Sequence, residues 1–457
     1  MNIYIQVEIS ARELDSKLLL AVIAAARGHE VIVSDHAGIE KGLRNNLFEP
    51  GIFHTKCITP FDEKINFHQN LIQKGYLITS IDEEAGLDME SYEEFMKTRY
   101  SEQTIQQSSA VFFWGNFDSE YIKKNYLKYK SKIHKTGSPR VDLWKLIFLK
   151  YWRAPKTIPK KPYLLVSSNM GKANYIKPFH EMIRENKNLG FYERDEKMFK
   201  NTFYWTAEEY QKVQSFIEAI KYLANNNSDF DIVFRPHPVE AIDSWKYYFE
   251  ELSNVHVTRE DAITPWIHNS FALMHCGCTT AIEATIIKKP IISFAPFTMN
   301  YSTEFTNNLG FKVKNLEELS IIINNIFHKK KSMDQNDLSI SLPELLSERI
   351  YLDKNELAAE KIVKLWEGLD NNNLSKHSNW RMYQCFLKLS EIKQMIGKFL
   401  RKFFPKKFSN FRDDLKFDPL NKDDILGKVS RLKNILGIEK KLVCKLLTKR
   451  TILIRSI

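Results

Sequence analysis

A strand, a helix and a second strand open the chain at a spacing that few folds accommodate. Ile3–Val7 is a short β-branched run, and the segment ARELDSKLLLAVIAAARGH follows with Leu14, Leu18, Val22 and Ala25 on one helical stripe. Gly28 stands where that helix has to end, and Glu30–Ser34 is the next apolar run. This order is that of a parallel βαβ unit. Further strands are expected at Tyr76–Ile81 and Ala110–Trp114. HKTGSPRVDLW reads as the last turn of this half, its Gly137 and Pro139 breaking the chain before a helix near Asp142.

The segment YWRAPKTIPKKP has three prolines and four basic residues between apolar stretches, the composition of a linker. A second α/β pattern follows it. Strands are expected at Tyr163–Ser167, from Asp231, at Val255–Val257, Phe271–His275, Ile291–Phe294 and Phe311–Val313, with a long helix over Ala207–Leu223. Leu357–Leu369 is amphipathic and suits a helix packed back on the body, and the polar run Asn371–Asn379 ends the core. The simplest architecture is α/β, with two Rossmann-like domains facing each other across a cleft. Their bounds are 1–150 and 151–375, and 376–457 forms a basic helical tail.

Composition excludes several classes. The 457 residues hold 43% hydrophobic side chains, enough for two cores, and no run reaches the eighteen or more apolar residues of a membrane span. The opening MNIYIQVEIS reads as a first strand rather than a signal peptide. Five scattered cysteines suit a reducing cytoplasm, and Cys276-Gly-Cys278 lacks the second ligand pair that a metal site needs. The net charge of +11 is unevenly placed: from Arg381 onward 20 Lys/Arg face 7 Asp/Glu, so the rest of the chain carries −2. A nucleic-acid enzyme would spread positive charge along its working groove, so no nucleic-acid partner is expected.

Three stretches point to chemistry. In DFDIVFRPHPVE, Arg235 and His237 each precede a proline and are held extended, so their side chains share a face just past a strand. Ligands of open α/β sheets bind at that end, which makes the pair an anion-site candidate. In ALMHCGCTTAIEATIIKKP, a strand turns through Cys276-Gly277-Cys278 into a helix near Thr280. The Thr279 and Thr280 hydroxyls could serve a phosphate at the helix start, and Glu283 could close a capping box with Thr280 or accept from ribose. In LITSIDEEAGLD, Asp82, Glu83 and Glu84 leave a strand end together, and crowding of this kind raises at least one carboxyl pKa toward acid/base use. Arg12 and Glu13 lie beyond strand one, and Arg140 in GSPR lies in the last loop of that half; both places could face the same cleft. His36, His54 and His134 read as ordinary packing or surface histidines. Neither GxGxxG nor a P-loop occurs, so no NAD or P-loop nucleotide is indicated.

Thr136-Gly-Ser-Pro-Arg140, Val166-Ser-Ser-Asn169, Arg235-Pro-His-Pro238 and Cys278-Thr-Thr-Ala-Ile-Glu283, with the early REL helix and the DEEAG turn, together resemble the bacterial surface-carbohydrate-biosynthesis glycosyltransferases. These are GT-B proteins related to the β-Kdo transferases and, more distantly, to bacterial sialyltransferases. The resemblance covers roughly residues 1–370. It implies an N-terminal acceptor-side domain and a nucleotide-sugar donor bound mainly by the C-terminal one. His237 would lie on the donor phosphate with Thr279–Thr280 beside it, and Asn169 and Arg235 belong to the same donor motifs. A carboxylate of DEEAG would act in catalysis. The order of preference is Glu83, Glu84, Asp82, and Cys278 stands where serine is common.

The function expected is transfer of a sugar, from a CMP-activated ulosonic acid such as Kdo or a sialic-type sugar, to a glycan or lipid-linked acceptor, with no metal and no further cofactor. The alternatives are a UDP- or GDP-sugar or CDP-alditol donor, or a non-catalytic scaffold of a polysaccharide assembly complex. The enzyme is expected in the cytoplasm. Its tail, through basic amphipathic segments such as Ile396–Pro405 and Ile438–Leu447, would lie on the anionic inner face of the membrane as a separable appendage.

Overall fold

The computed structural model describes residues 1–83, 92–188, 190, 192, 196–300, 304–332, 344–369, 380–401 and 417–457. Its strands are β1 (Asn2–Val7), β2 (Glu30–Asp35), β3 (Ile52–Thr55), β4 (Leu77–Ile81), β5 (Ala110–Phe113), β6 (Ile133–Lys135) and β7 (Tyr163–Ser167). They continue with β8 (Asp231–Arg235), β9 (Val255–Val257), β10 (Ala272–His275), β11 (Ile291–Phe294), β12 (Phe311–Val313), β13 (Leu442–Thr448) and β14 (Thr451–Ser456). The chain divides into two compact units, Met1–Tyr151 with Glu344–Ile457, and Trp152–Pro343.

Each unit is a Rossmann-like sheet covered by helices. In the first, the parallel strands run β2-β1-β3-β4-β5-β6, so the direction of winding reverses between β1 and β3. In the second the order is β12-β11-β10-β7-β8-β9, all parallel, with the reversal between β7 and β10. Both sheets are buried on two faces, and their strands are accordingly near-continuous apolar runs: Ile3, Ile5, Val7, Leu164, Val166, Ile232 and Phe234 are fully enclosed. β3 and β6 are short and carry polar residues, which hides them from pattern reading.

The helix Ser10–Ala26 departs from the single stripe expected. Every residue from Glu13 to Ala25 is buried. The cause lies at the other end of the chain, because the helices Ala358–Leu369 and Lys422–Ile435 and strand β14 all pack against it. A helix that is apolar around its whole circumference has to be covered on all sides.

The domain bounds and the tail are thus corrected. The second unit ends at Pro343, and residues from Glu344 onward return to the first. Within Ile438–Leu447, where an amphipathic helix was expected, the chain enters β13, the outer strand of a hairpin whose inner strand β14 pairs antiparallel with β2, Ile454 opposite Val31. Ile452, Leu453 and Ile454 are buried there. Apolar runs this short are consistent with either a strand or a helix, and the free edge of β2 decides the matter. The helix Trp380–Arg401 seats Tyr383 and Leu387 among Tyr4, Phe48 and Tyr76. The helix Lys422–Ile435 starts on an Asn421 cap that accepts from the Asp423 and Asp424 amides. It buries Ile425, Val429 and Leu432, and Lys428 pairs with Asp15 at 3.0 Å. Residues 371–379 and 402–405, and the side chains of 396–401, lie outside the description.

The hairpin is therefore part of the first core and not an appendage. Ile454→Ala is expected to lower the unfolding free energy by about 2–4 kcal/mol in a denaturant titration, as for other large-to-small core changes. A change below about 0.5 kcal/mol, the size of a surface effect, would show the hairpin to be dispensable.

Candidate active site

In the first unit the switch between β1 and β3 gathers a charged cluster at the carboxyl ends of the strands. Glu13 comes from the first turn of the helix after β1, and Lys17 lies one turn further on the same face. Glu83 follows β4 and His54 sits on β3. Lys17 Nζ lies 2.5 Å from Glu83 Oε1, with both side chains at most 2% exposed. The same ammonium is 3.4 Å from His54 Nε2, and His54 Nδ1 is 3.1 Å from Thr79 Oγ1. Burial and the neighbouring Lys17 hold His54 well below the usual imidazole range, so it is neutral. Lys17 thus donates to Nε2, and the ring proton sits on Nδ1, toward Thr79.

Glu13 is wholly enclosed; it accepts from the Glu8 amide at 2.8 Å and from Arg12 at 2.8 Å. Burial pushes its carboxyl up, and the Glu83 carboxylate adds to this against Arg12 and Lys17. Burial also opposes the charge on Glu83, but Lys17, Arg140 and Arg12 outweigh it and hold that carboxyl below the ordinary range. Two adjacent carboxyls are thus driven apart, one toward keeping its proton and one toward staying ionised, which is how sites divide acid and base roles. Glu83 Oε2 is buried with no hydrogen-bond partner among the described residues.

The structure separates the three acidic residues of the DEEAG turn. Asp82 is turned to Arg99 in a two-pronged pair at 2.7 and 2.6 Å, and its carbonyl accepts from Trp114 Nε1. Its charge is paired with Arg99, the last residue of the helix Tyr92–Arg99. Glu84 lies outside the described residues. Arg12 and Arg140 both act electrostatically on Glu83, Arg140 from a short helix, Pro139–Asp142, capped by Ser138, with its guanidinium over Trp144.

In the second unit the switch lies between β7 and β10, and there Asn169 Nδ2 donates to Gly277 O at 2.9 Å. Gly277 has φ +66, which suits glycine, and its amide donates to Asn307 Oδ1 at 2.6 Å. The buried His275 accepts from the Cys278 amide at 3.3 Å through Nδ1; burial lowers its pKa to about 3. These bonds fix the turn that presents Thr279 and Thr280. The helix that follows, Thr280–Ile286, begins on Thr279 without a side-chain cap bond, so the expected Thr280–Glu283 capping box is not formed. Thr280 Oγ1 has no hydrogen-bond partner, while Glu283 is 3% exposed within the helix. Cys278 turns inward, its sulfur 3.4 Å from Ser167 Oγ.

Arg235 and His237 do not act as a pair of cationic heads. The Arg235 guanidinium donates to the carbonyls of Glu260 and Asp261 (2.8 Å to the latter) and lies over Trp266; burial lowers its pKa to about 10. It fixes the loop after β9. His237 is half-buried, and its Nδ1 accepts from the Val239 amide at 3.4 Å, which leaves the ring proton on Nε2. Its loop is held by a residue that the motif reading passed over, Glu240. This buried carboxylate accepts from Ser168 Oγ (2.8 Å), the Met170 amide (2.9 Å), the His237 amide (3.3 Å) and Trp245 Nε1 (2.6 Å). Glu209 likewise accepts from the amides of Lys172 and Ala173, at 2.6 and 3.1 Å.

Lys17, His54 and Glu240 are side chains of the candidate site that pattern reading missed. One signal was present: Glu13 and Lys17, four apart, sit inside the apolar stripe of Leu14 and Leu18, where charges are out of place unless paired.

No family model and no curated protein matches the chain. Among solved structures it is similar to a UDP-GlcNAc 2-epimerase from Methanocaldococcus jannaschii, at 13% identity and a TM-score of 0.46, covering 80% of this chain and 99% of that one. It is also similar to the wall teichoic acid polymerase TagF, at 11% and 0.45, covering 81% and 88%. A third is HepE from Anabaena in complex with UDP-glucose, at 9% and 0.36, covering 81% and 97%. The chemistry is therefore read from the chain's own side chains.

Glutamine at position 240 would keep the shape but offer one acceptor oxygen where Glu240 has two. Glu240→Gln is expected to leave a buried donor unmatched and to cost about 1–3 kcal/mol in thermal unfolding. An unchanged melting temperature would remove Glu240 as the organiser of the His237 loop.

Proposed function

We propose that the protein is a glycosyltransferase of bacterial surface polysaccharide or lipooligosaccharide synthesis. Its donor is a nucleotide sugar, a CMP-linked ulosonic acid of the Kdo or sialic type, and its acceptor a glycan. The observation that carries this reading is Glu83, an ionised carboxylate at the end of a parallel strand. Lys17 holds one of its oxygens, and the other has no hydrogen-bond partner among the described residues.

Transfer breaks the bond between the anomeric carbon and the donor phosphate oxygen and makes one to an acceptor hydroxyl. In direct displacement, Glu83 takes the hydroxyl proton and the product is inverted. Attack by Glu83 itself, followed by displacement, gives retention. NMR of the product linkage separates the two. The leaving phosphate gains charge, and His237 Nε2–H with the Thr279 and Thr280 hydroxyls supplies donors for it. The Met170, Lys172 and Ala173 amides after β7, where a longer phosphate chain would seek N–H groups, are occupied by Glu240 and Glu209. That occupancy favours a donor with one phosphate. A lipid-linked acceptor would bring the enzyme to the cytoplasmic face of the membrane, where its basic C-terminal residues gain from anionic lipid.

The test is nucleotide release with acceptor present, across CMP-Kdo, CMP-sialic acid, UDP- and GDP-sugars and CDP-alditols. CMP release is expected, reduced roughly 10²–10³-fold in Glu83→Gln and in His237→Ala with the fold intact. Activity of both variants within about threefold of the parent would sink the site assignment. Release of another nucleotide would replace the donor, and release of none would leave a scaffold.

Lys17 also sets a pH dependence. It leads the influences that hold Glu83 below the ordinary carboxylate range against burial. Lys17→Met is expected to raise the Glu83 pKa, so the acid limb of the kcat/KM profile moves to higher pH by about one unit or more. An acid limb that stays in place while turnover falls would separate Lys17 from the ionisation of Glu83.

A further inference from the structure

The helix Trp380–Arg401 and the hairpin of β13 and β14 line a cavity that the sugar chemistry does not use. It has a volume of about 350 Å³ and lies where the helix Trp380–Arg401 packs on β13. Its floor is one pleated face of the hairpin: Val443, Lys445 and Leu447 alternate along β13, and Arg455 and Leu453 stand opposite the first two. Gln384 Nε2 donates to Leu447 O at 2.8 Å and fixes the helix above that floor.

Among the described residues three cations line this cavity and no carboxylate does. Arg455 is paired with Glu30 at 3.0 Å, whereas Arg381 and Lys445 make no ion pair among the described residues. The helix begins at Trp380, and its first turn holds Arg381 and no acidic residue. Helix N-termini ordinarily attract negative charge and repel positive, so the cations here suit an anion. Trp380, which also lines the cavity, has its indole N–H screened from water and without an acceptor among the described residues. The charged groups thus stand beside the apolar floor of Val443, Leu447 and Leu453.

We propose that this cavity binds the head of a phosphate-bearing lipid, the phosphate held by Arg381 and Lys445 and the adjoining hydrocarbon lying on Val443, Leu447 and Leu453. The volume is near the lower end for small-molecule pockets and suits a head group with its first carbons rather than a whole lipid. The site gives the membrane association in the functional reading a specific contact, and it rests on that part of the reading alone.

The test uses the full chain and Arg381→Glu/Lys445→Glu, both at exposed or half-exposed positions away from the catalytic residues, with circular dichroism and nucleotide release as controls for folding. Short-chain phosphatidate and inorganic phosphate are titrated calorimetrically, and flotation is run on phosphatidylcholine vesicles with and without phosphatidate. The parent protein is expected to bind the short-chain lipid more tightly than phosphate and to float only with phosphatidate. The double variant should bind the lipid at least about tenfold more weakly, since each cation near an anionic surface contributes about 1 kcal/mol. Equal lipid binding by both proteins, or none by the parent, would overturn the site. Phosphate binding as tight as lipid would reduce it to an anion site and overturn the lipid assignment. Lipid binding lost in the variant, in a protein that releases no nucleotide from any donor, would leave this site standing and the transferase reading fallen.

Discussion

The first unit turns on one buried ion pair, Lys17 with Glu83. Neither group would be tolerated alone where it sits, since an isolated charge in a low-dielectric interior loses several kcal/mol of hydration and breaking such a pair costs about 3–5 kcal/mol. The pair persists because its surroundings complete it. His54 accepts from the ammonium, and Arg140 and Arg12 add positive potential at the carboxylate. A hydrophobic pair of equal volume would hold the helix to β4 at least as well. Keeping two charges there fits a group that must be ionised, shielded and aimed, as the carboxylate of a transfer reaction must be.

The second unit solves a related problem in the opposite sense. The loops after β7 and β8 expose amide donors at the sheet's carboxyl edge, and buried donors without partners are costly. Glu240 and Glu209 fill them from within, so these loops are shaped by the chain's own carboxylates. Beside these filled loops stand the half-buried His237 ring, the exposed Thr279 and the buried Thr280 hydroxyl.

Ten strands were legible in the sequence, most of them because strands buried on both faces are written as plain apolar runs; the short edge strands β9 and β12 are only partly buried. The candidate site was legible only where the local backbone announced it. The prolines around His237 and the acidic turn at Glu83 did so. Their partners did not, because Lys17 and His54 become site residues only when β1, β3 and β4 are laid side by side, and Glu240 only when the β7 loop folds over it. Arg235 marks the limit of such inference. Sharing an extended segment with His237 fixed which side it leaves the strand, but not that two carbonyls of the loop after β9 would take its guanidinium.

The same limit explains why the basic C-terminal charge was misplaced. A strand like β2, exposed at the edge of a sheet, is a template for further pairing. The chain satisfies it with its own last residues, and the cations there have a structural duty first: Arg450 pairs with Asp35 at 3.1 Å and Arg455 with Glu30 at 3.0 Å, one at each end of β2. These pairs help set the register of β14 against β2, where a shift of one residue would turn Ile452 and Ile454 out of the core. The new edge, β13, carries the exposed Lys445 on its face, a charge that discourages another chain from adding to it. Counting residues merged these duties into one surplus of thirteen. Arg381 and Lys445 are two of the cations without an ion pair among the described residues, and both line the cavity over the apolar floor, a local placement that the total does not show.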